Sequence, residues 1–545
     1  MKNIFDFHFH LLFKHFISTR NNQRLPFETD FKTKGVMSVL DELMGNAFDS
    51  QSSPKMVKES QLKCGVTALL AMEYAFAENI SGLIRSFSNA DLPINWDFID
   101  QVKQKKNSYF DLLNTEIKYY TDHMKELDDK YNIRFINRKT KTKMDDASKT
   151  YLAFSAEGAH NFSEAKIRTL NASTKPSENY TKIQDDPKNI DIFSINLLHL
   201  SEIPEQTMGG FAQGLTNVAQ MAFHSADFTP KSGFGLSDKA KSFIKIVFTN
   251  KFPSLIDVKH MSVFTRYKFY NFREDLIIAN PDIARLPIIS SHTGFTFCAL
   301  EDFLENKKYK TDVRYENGQS ITQIQAKNQK IGKTNFLINN KLFANPWTIN
   351  LFDEEIIEIM QSNGLIGLSM DQRILGSTKM LADGVRGEFF KDSEAIPLME
   401  WRKWFKEGKL DLEGLEETES KSDREIRQIL LLCHHMIYAV RLGYKNLNWV
   451  GNKSPWDHIS IGSDYDGLIN PINGYEDVRK LSNLKNDLLK YLPVADKNMD
   501  LLKEIKAFKI NPAGNIDEIH LNECIDKFLS VNGKNFLERF LKNWQ

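Results

Sequence analysis

The sequence predicts a (β/α)8 barrel of the TIM type, carrying peripheral helical and loop insertions. Three observations lead there. Eight short apolar runs recur along the chain, separated by long polar or helical stretches. Several of them are apolar without alternation, as strands covered on both faces are. Polar residues also gather at the C-terminal ends of these runs. The runs are IFDFHFH (4–10), CGVTALLAMEY (64–74), TYLAFSAEG (150–158), IDIFSINLLH (190–199), SLIDVKH (254–260), LPIISSH (286–292), GLIGLSM (364–370) and HISIGSD (458–464). Strands that alternate with helical connections imply parallel βαβ units. Eight such units suit a closed barrel, with an open doubly wound sheet as the alternative.

His8, His10, Glu157, His199, His260, His292 and Asp464 stand at or near the C-terminal ends of six runs. In a (β/α)8 barrel those ends form the active-site face, so residues distant in sequence meet there. Core histidines placed independently would not choose the same end repeatedly.

The chain has 545 residues, long for one domain but within reach of a barrel with insertions. The insertions fall at about 101–149, 305–345 and 376–425, and the barrel spans 1–475. The tail from 476 to 545 has apolar residues at helical spacing and should pack on the barrel as a helical extension. Lys plus Arg and Asp plus Glu both number 71, so no overall field favours nucleic acid or an anionic membrane. The four cysteines, Cys64, Cys298, Cys433 and Cys524, are scattered without a CxxC pair. That argues against a disulfide framework and suits a reducing compartment. The first apolar run is broken by Asp6, His8, His10 and Lys14, unlike an export signal. A soluble, cytoplasmic protein acting on a small molecule is therefore expected, with no nucleic-acid or membrane partner; a homodimer is left open.

Side chains at i and i+2 of a strand share a face, so His8 and His10 point together. Imidazole is a common ligand for zinc and its neighbours. A lone HxH means little, but the other strand-end ligands turn it into a metal site. Glu157 ends an apolar strand, where a carboxylate is costly unless paired or metal-bound, and a carboxylate can bridge two cations. The plainer reading is a solvated Glu beside a glycine turn. His260 and His292 could supply a second ion, or serve as hydrogen-bonded structural residues. Four histidines and one bridging acid exceed what one tetrahedral zinc needs. Two divalent ions, zinc first, are therefore expected on His8, His10, Glu157, His260 and His292. Asp464, opening the DYDG turn, could take a proton from a water between the ions. His199 could stabilise an oxyanion or be structural. His160 reads as a supporting residue, and His434, His435 and His458 as structural. GxSxG, Walker A, GxGxxG after a strand and HExxH are all missing.

These motifs, in this order, resemble the membrane dipeptidase (renal dipeptidase) family of the amidohydrolase superfamily, remotely and with large insertions. His8-Phe9-His10 looks like the family's His-x-Asp, with His in place of Asp. Glu157-Gly158 looks like its bridging glutamate and glycine, and His199 like its substrate-contacting histidine. LIDVKHMS resembles the Asp-x-x-His-x-Ser strand, placing His260; ISSHTG resembles Ser-His-Ser, placing His292; GSDYDG resembles Gly-x-Asp-Phe-Asp-Gly, placing Asp464. The resemblance implies metal-dependent hydrolysis of an amide-type C–N bond in a dipeptide or related acyl-amine. A lactonase, another non-peptide amidohydrolase or a non-catalytic metal-binding barrel are the rivals. The family's carboxylate-gripping Arg-Asn pair has no counterpart after His292. Arg373, just past the seventh run, is the candidate substitute, a guanidinium being matched to carboxylate; pairing with a nearby acid is the alternative.

Overall fold

Eight parallel strands, one from each apolar run, lie side by side in chain order. They are β1 (Ile4–Phe9), β2 (Leu62–Leu69), β3 (Thr150–Ala156), β4 (Ile192–Asn196), β5 (Leu255–Asp257), β6 (Ile289–Thr293), β7 (Leu365–Leu368) and β8 (Ile459–Ile461). The structure is a computed structural model. It describes residues 3–543 apart from 21–22, 44–45, 81, 88–90, 165–174, 202, 204–207, 215–227, 231–234, 306–308, 317–318, 327–328, 333–341, 377–392 and 406–420.

The ring closes between β8 and β1. Asp464 N donates to His8 O at 2.8 Å, and His10 N donates to Tyr465 O at 2.9 Å. Asp6 reinforces the seam by accepting from the Ser463 backbone N (2.9 Å) and hydroxyl (2.5 Å). A closed ring excludes the open doubly wound sheet. Helices join successive strands, as parallel pairing requires: among them Tyr109–Tyr131 between β2 and β3, Asp238–Thr249 before β5, Val263–Ala279 after it, and Lys421–Asn446 before β8.

The helix Tyr109–Tyr131 shows why such connections fold. Ser108 and Asp111 form a reciprocal capping box at its start. Asn132 ends it in the left-handed conformation that Asn tolerates. Its Leu112, Leu113, Ile117 and Tyr120 are buried. This helix lies within 101–149 and packs against the barrel wall, where Tyr120 meets Phe154 of β3 edge to face at 5.1 Å.

Glu116 on the same helix is 1% exposed. Its Oε2 accepts from Leu70 N at 2.9 Å, while Oε1 has no hydrogen-bond partner. Burial pushes its carboxyl up to about 8 from 4.5. A folded-state pKa raised in this way means the fold holds the neutral acid. The stability it supports is complete below about 4.5 and is lost as pH rises through about 8. Glu116→Gln keeps the acceptor without the ionisation. Its Tm should therefore fall less than that of the wild type between about pH 5 and about pH 9. Parallel falls in a thermal melt series would refute this.

The 305–345 and 376–425 insertions lie partly outside the described residues. Where described, the first is not plain loop: Tyr309–Glu316 and Gln319–Ala326 pair as an antiparallel hairpin, joined by Ser393–Pro397 as a third strand. Polar composition hid the alternation, although Asn317-Gly318 between the two runs is a hairpin turn signal.

The tail is helical over Leu484–Asn498, Glu518–Asp526 and Asn532–Asn543. Its last helix lies on the barrel, with Phe536 against Phe7 and Phe540 against Phe193 at 5.8 and 5.0 Å between ring centres. Gly533 permits that approach, since a Cβ there would sit 1.9 Å from the Phe5 ring. Among the described residues, no helix is long and apolar enough to cross a membrane.

Candidate metal centre

The C-terminal ends of the strands bring the candidate ligands to one point. His8 and His10 share the inner face of β1, and Glu157 follows β3 directly. The Nε2 atoms of five histidines surround the Glu157 carboxylate: His10 at 3.1 Å, His260 at 3.2 Å, His8 at 3.4 Å, and His199 and His292 at 3.6 Å. All six residues are buried. Asp464 stands at the rim, its Oδ1 3.8 Å from His8 Nε2 and 3.9 Å from His10 Nε2, with 16% of its side chain exposed.

Local backbone geometry sets these positions. His260 and Asp464 both adopt positive φ, 69° and 64°. Left-handed backbone is uncommon for a residue with a Cβ and tends to mark functional sites. The turn at His260 is held from behind. Asp257 accepts from Lys259 N and Ser291 N, and Arg266 donates to Met261 O at 2.7 Å while gripping Glu355. Ser262 then caps the helix Val263–Ala279. Gly158 turns the chain after Glu157 with φ 92°, and a Cβ there would meet His160 Nδ1 at 2.2 Å. Gly467 leaves room for Asp464, whose Oδ1 would lie 2.1 Å from an added Cβ.

Supporting groups orient the rings. His199 Nδ1 faces Glu73 Oε1 at 2.9 Å. Ser291 Oγ lies between His8 Nδ1 (3.2 Å) and His292 Nδ1 (2.9 Å). Such partners fix which nitrogen is presented inward. Glu73, Asp257 and Ser291 went unselected in the sequence. Glu73 carried a usable signal, an acid ending the second apolar run.

The charges are strongly perturbed. Burial opposes ionisation of Glu157, yet His199 and His8 hold its carboxyl well below the usual range. Burial pushes Asp464 up to about 8, with His8 opposing and Glu157 adding to the rise. For His199 burial is outweighed by Glu157 and Glu73, which raise it to about 9. Burial lowers His260 to about 3 and lowers His10 and His292 as well. The last three are thus neutral imidazoles with lone pairs to offer.

That donor set fits divalent ions of the zinc class, which take imidazole nitrogen and carboxylate oxygen. Nε2 of His8 and both ring nitrogens of His10 lack a hydrogen-bond partner although buried. His260 and His292 face each other Nε2 to Nε2 at 3.0 Å. Two nitrogens on one tetrahedral zinc, with bonds of 2.0–2.1 Å, stand about 3.3 Å apart. Among the described residues, three sets place ligand atoms within 4.8 Å of one another: His8, His10 and Asp464; His8, Glu157 and His292; and Glu157, His199 and His260.

Arg373 also reaches the cavity above the cluster, but its guanidinium already grips Asp371 (2.7–3.0 Å) and donates to Leu468 O (2.8 Å). Lys259 Nζ opens on the same cavity, buried and without a hydrogen-bond partner. Four further histidines bond to backbone carbonyls: His160 to Ala71, His434 to Leu430, His435 to Leu375 and His458 to Gly364.

Comparison with known proteins adds a family. Residues 340–502 match the membrane dipeptidase family, peptidase family M19. The matched stretch holds β7, β8, Arg373 and Asp464, while Glu157 and the five clustered histidines precede it. The resemblance to membrane dipeptidases that the motifs carry is thus found independently in that part of the chain. No curated protein matches. Among solved structures, the chain is similar to the probable dipeptidase PvdM from Pseudomonas aeruginosa, at 12% identity and TM-score 0.47, covering 100% of this chain and 96% of that one. It is also similar to a metallopeptidase from Rhodobacter sphaeroides liganded with a phosphinate mimic of the dipeptide L-Ala-D-Ala, at 12% identity and TM-score 0.45, covering 98% and 99%.

Proposed function

We propose that the chain is a binuclear metal-dependent hydrolase of an amide-type C–N bond in a small substrate, a dipeptide or related acyl-amine. The observation that carries this reading is the ring of five imidazole Nε2 atoms around one buried carboxylate, with Asp464 facing it from the rim. His8, His10 and Glu157 would hold one ion, and Glu157, His260 and His292 the other. Bound zinc supplies Lewis acidity, polarising a carbonyl and lowering the pKa of water toward ~7.

The protein's own groups do the rest. Asp464 accepts the proton of the attacking water at a carboxylate oxygen and returns it to the leaving amine. His199, oriented by Glu73 at 2.9 Å, directs its Nε2 to the oxygen on which charge develops. Arg373 and Asp371 border the same cavity, where the guanidinium would meet a substrate carboxylate. The barrel over 1–475 supplies every one of these groups, and the extension 476–545 supports it from outside.

The test is reconstitution with zinc followed by elemental analysis and a hydrolysis screen over dipeptides, N-acyl amino acids and lactones. About two ions per chain and turnover of an amide are expected. A firm value of one ion, unchanged by excess metal, would remove the binuclear claim. Turnover of lactones alone would remove the amide assignment.

A further inference from the structure

Most of the wall of the cavity above the metal centre is apolar. Phe13 and Ile17 follow β1, Phe31 lies on the way to β2, and Phe76, Ile84 and Ile99 come from the β2–β3 connection. All six are buried. The chamber begins at the metal centre itself, since the Phe13 ring lies 5.9 Å from that of His10.

Several charged groups elsewhere on the wall are paired with one another. Lys14 pairs with Asp466 at 2.7 Å, and Arg373 with Asp371. Beyond Glu157 and Asp464 at the metal centre, the described acid on the β1–β3 side of the wall is Asp466, which Lys14 already pairs, and an unpaired charge deeper in the chamber would carry the full cost of desolvation. The free amino terminus of a dipeptide would lie in the acyl half of the substrate. Away from the metal centre and the Lys14–Asp466 pair, this side of the barrel offers aromatic and aliphatic carbon.

Resting on the amide-hydrolase reading, we propose that the substrate is a long-chain N-acyl amine whose unbranched alkyl acyl group occupies this chamber. The amide carbonyl then lies at the metal centre. The amine half points to the β5 side, where Lys259 can meet a carboxylate. Topology supports that orientation: eight strands run in chain order around the ring, so the connection after β5 lies across the mouth from that after β1. Hydrolysis of this substrate adds water across the C–N bond, releasing a fatty acid and a free amine, with no other reactant.

The test is a series of N-acylglycines from acetyl to hexadecanoyl, run on the zinc-loaded enzyme beside glycine N-alkylamides of matching length. Each added CH2 should raise kcat/KM about fourfold until the chamber is full. Ile99→Trp should cut the ratio of decanoyl to acetyl kcat/KM about tenfold. Ile84→Phe is the milder alternative should the first variant fail to fold. In parallel, fatty acids of rising length are titrated into the metal-free protein by calorimetry, where affinity should rise with length. Flat dependence on acyl length, with amides still hydrolysed, overturns the chamber assignment and leaves the amide-hydrolase reading standing. Length dependence confined to the N-alkylamides overturns the acyl orientation. Length-dependent fatty-acid binding with no hydrolysis in either series supports the chamber and removes the hydrolase reading. Absence of both binding and hydrolysis removes both.

Discussion

Asp464→Asn should lower kcat by ~10²–10⁴ while leaving metal content and fold close to wild type, the loss expected when a general acid–base group is removed. Asp464 is placed for that separation. Its backbone is fixed to β1 by the 2.8 Å bond to His8 O, and its side chain alone among the clustered acids reaches the rim. Its φ of 64° lies in the left-handed region, which Asn tolerates as readily as Asp. The substitution therefore keeps the backbone turn and the size of the group, and removes the charge and the ability to take up a proton. Kinetics on an amide substrate, with metal measured on the same sample, check the prediction. Turnover within a few-fold of wild type would move the base to His199 or Glu157. Loss of metal together with activity would instead make Asp464 a ligand, as its 3.8 and 3.9 Å approaches to His8 and His10 allow.

The barrel was legible because its strands are buried on both faces. Continuous apolar runs such as LPIISSH have few other uses in a soluble fold, and all eight runs became strands. Convergence at the metal centre was legible for the same reason, since a polar side chain ending such a run needs an explanation. The pairing of ligands was harder to read. Position at a strand end says that His199 and His260 meet near Glu157, but ring orientation decides which three groups could share an ion. That orientation is set by Glu73 and Ser291, whose effect passes through other side chains. Asp6 shows the limit well. In sequence it is one more polar residue before an HxH; in the fold it bonds Ser463, 457 positions away, and closes the ring. The hairpin of Tyr309–Glu316 and Gln319–Ala326 stayed hidden because its sequence is rich in Lys, Gln and Asp, which dilute a period-2 pattern.

Glu157→Gln should abolish two-ion binding rather than merely slow turnover. Glu157 is the one carboxylate that all five imidazoles approach, between 3.1 and 3.6 Å. An amide has the same shape, but it has no negative charge and only one oxygen, so it cannot bridge two cations. Its NH2 group would also point hydrogens at ring nitrogens that have to donate lone pairs. Losing even a residue that only supports the ligands commonly costs 10–100-fold in metal affinity, so loss of a bridging ligand should exceed ~10²-fold. The metal-free protein should be affected as well. Glu157 offsets the charge on His199, and removing one partner of a buried pair typically costs ~3–5 kcal/mol. The expected result is a folded chain with a lowered Tm and less than about one ion bound after reconstitution. Circular dichroism and elemental analysis on the same preparation separate this from simple unfolding. A Gln variant that took up two ions with wild-type affinity would show that the histidines suffice, and that the carboxylate at the centre of the ring is not the bridge.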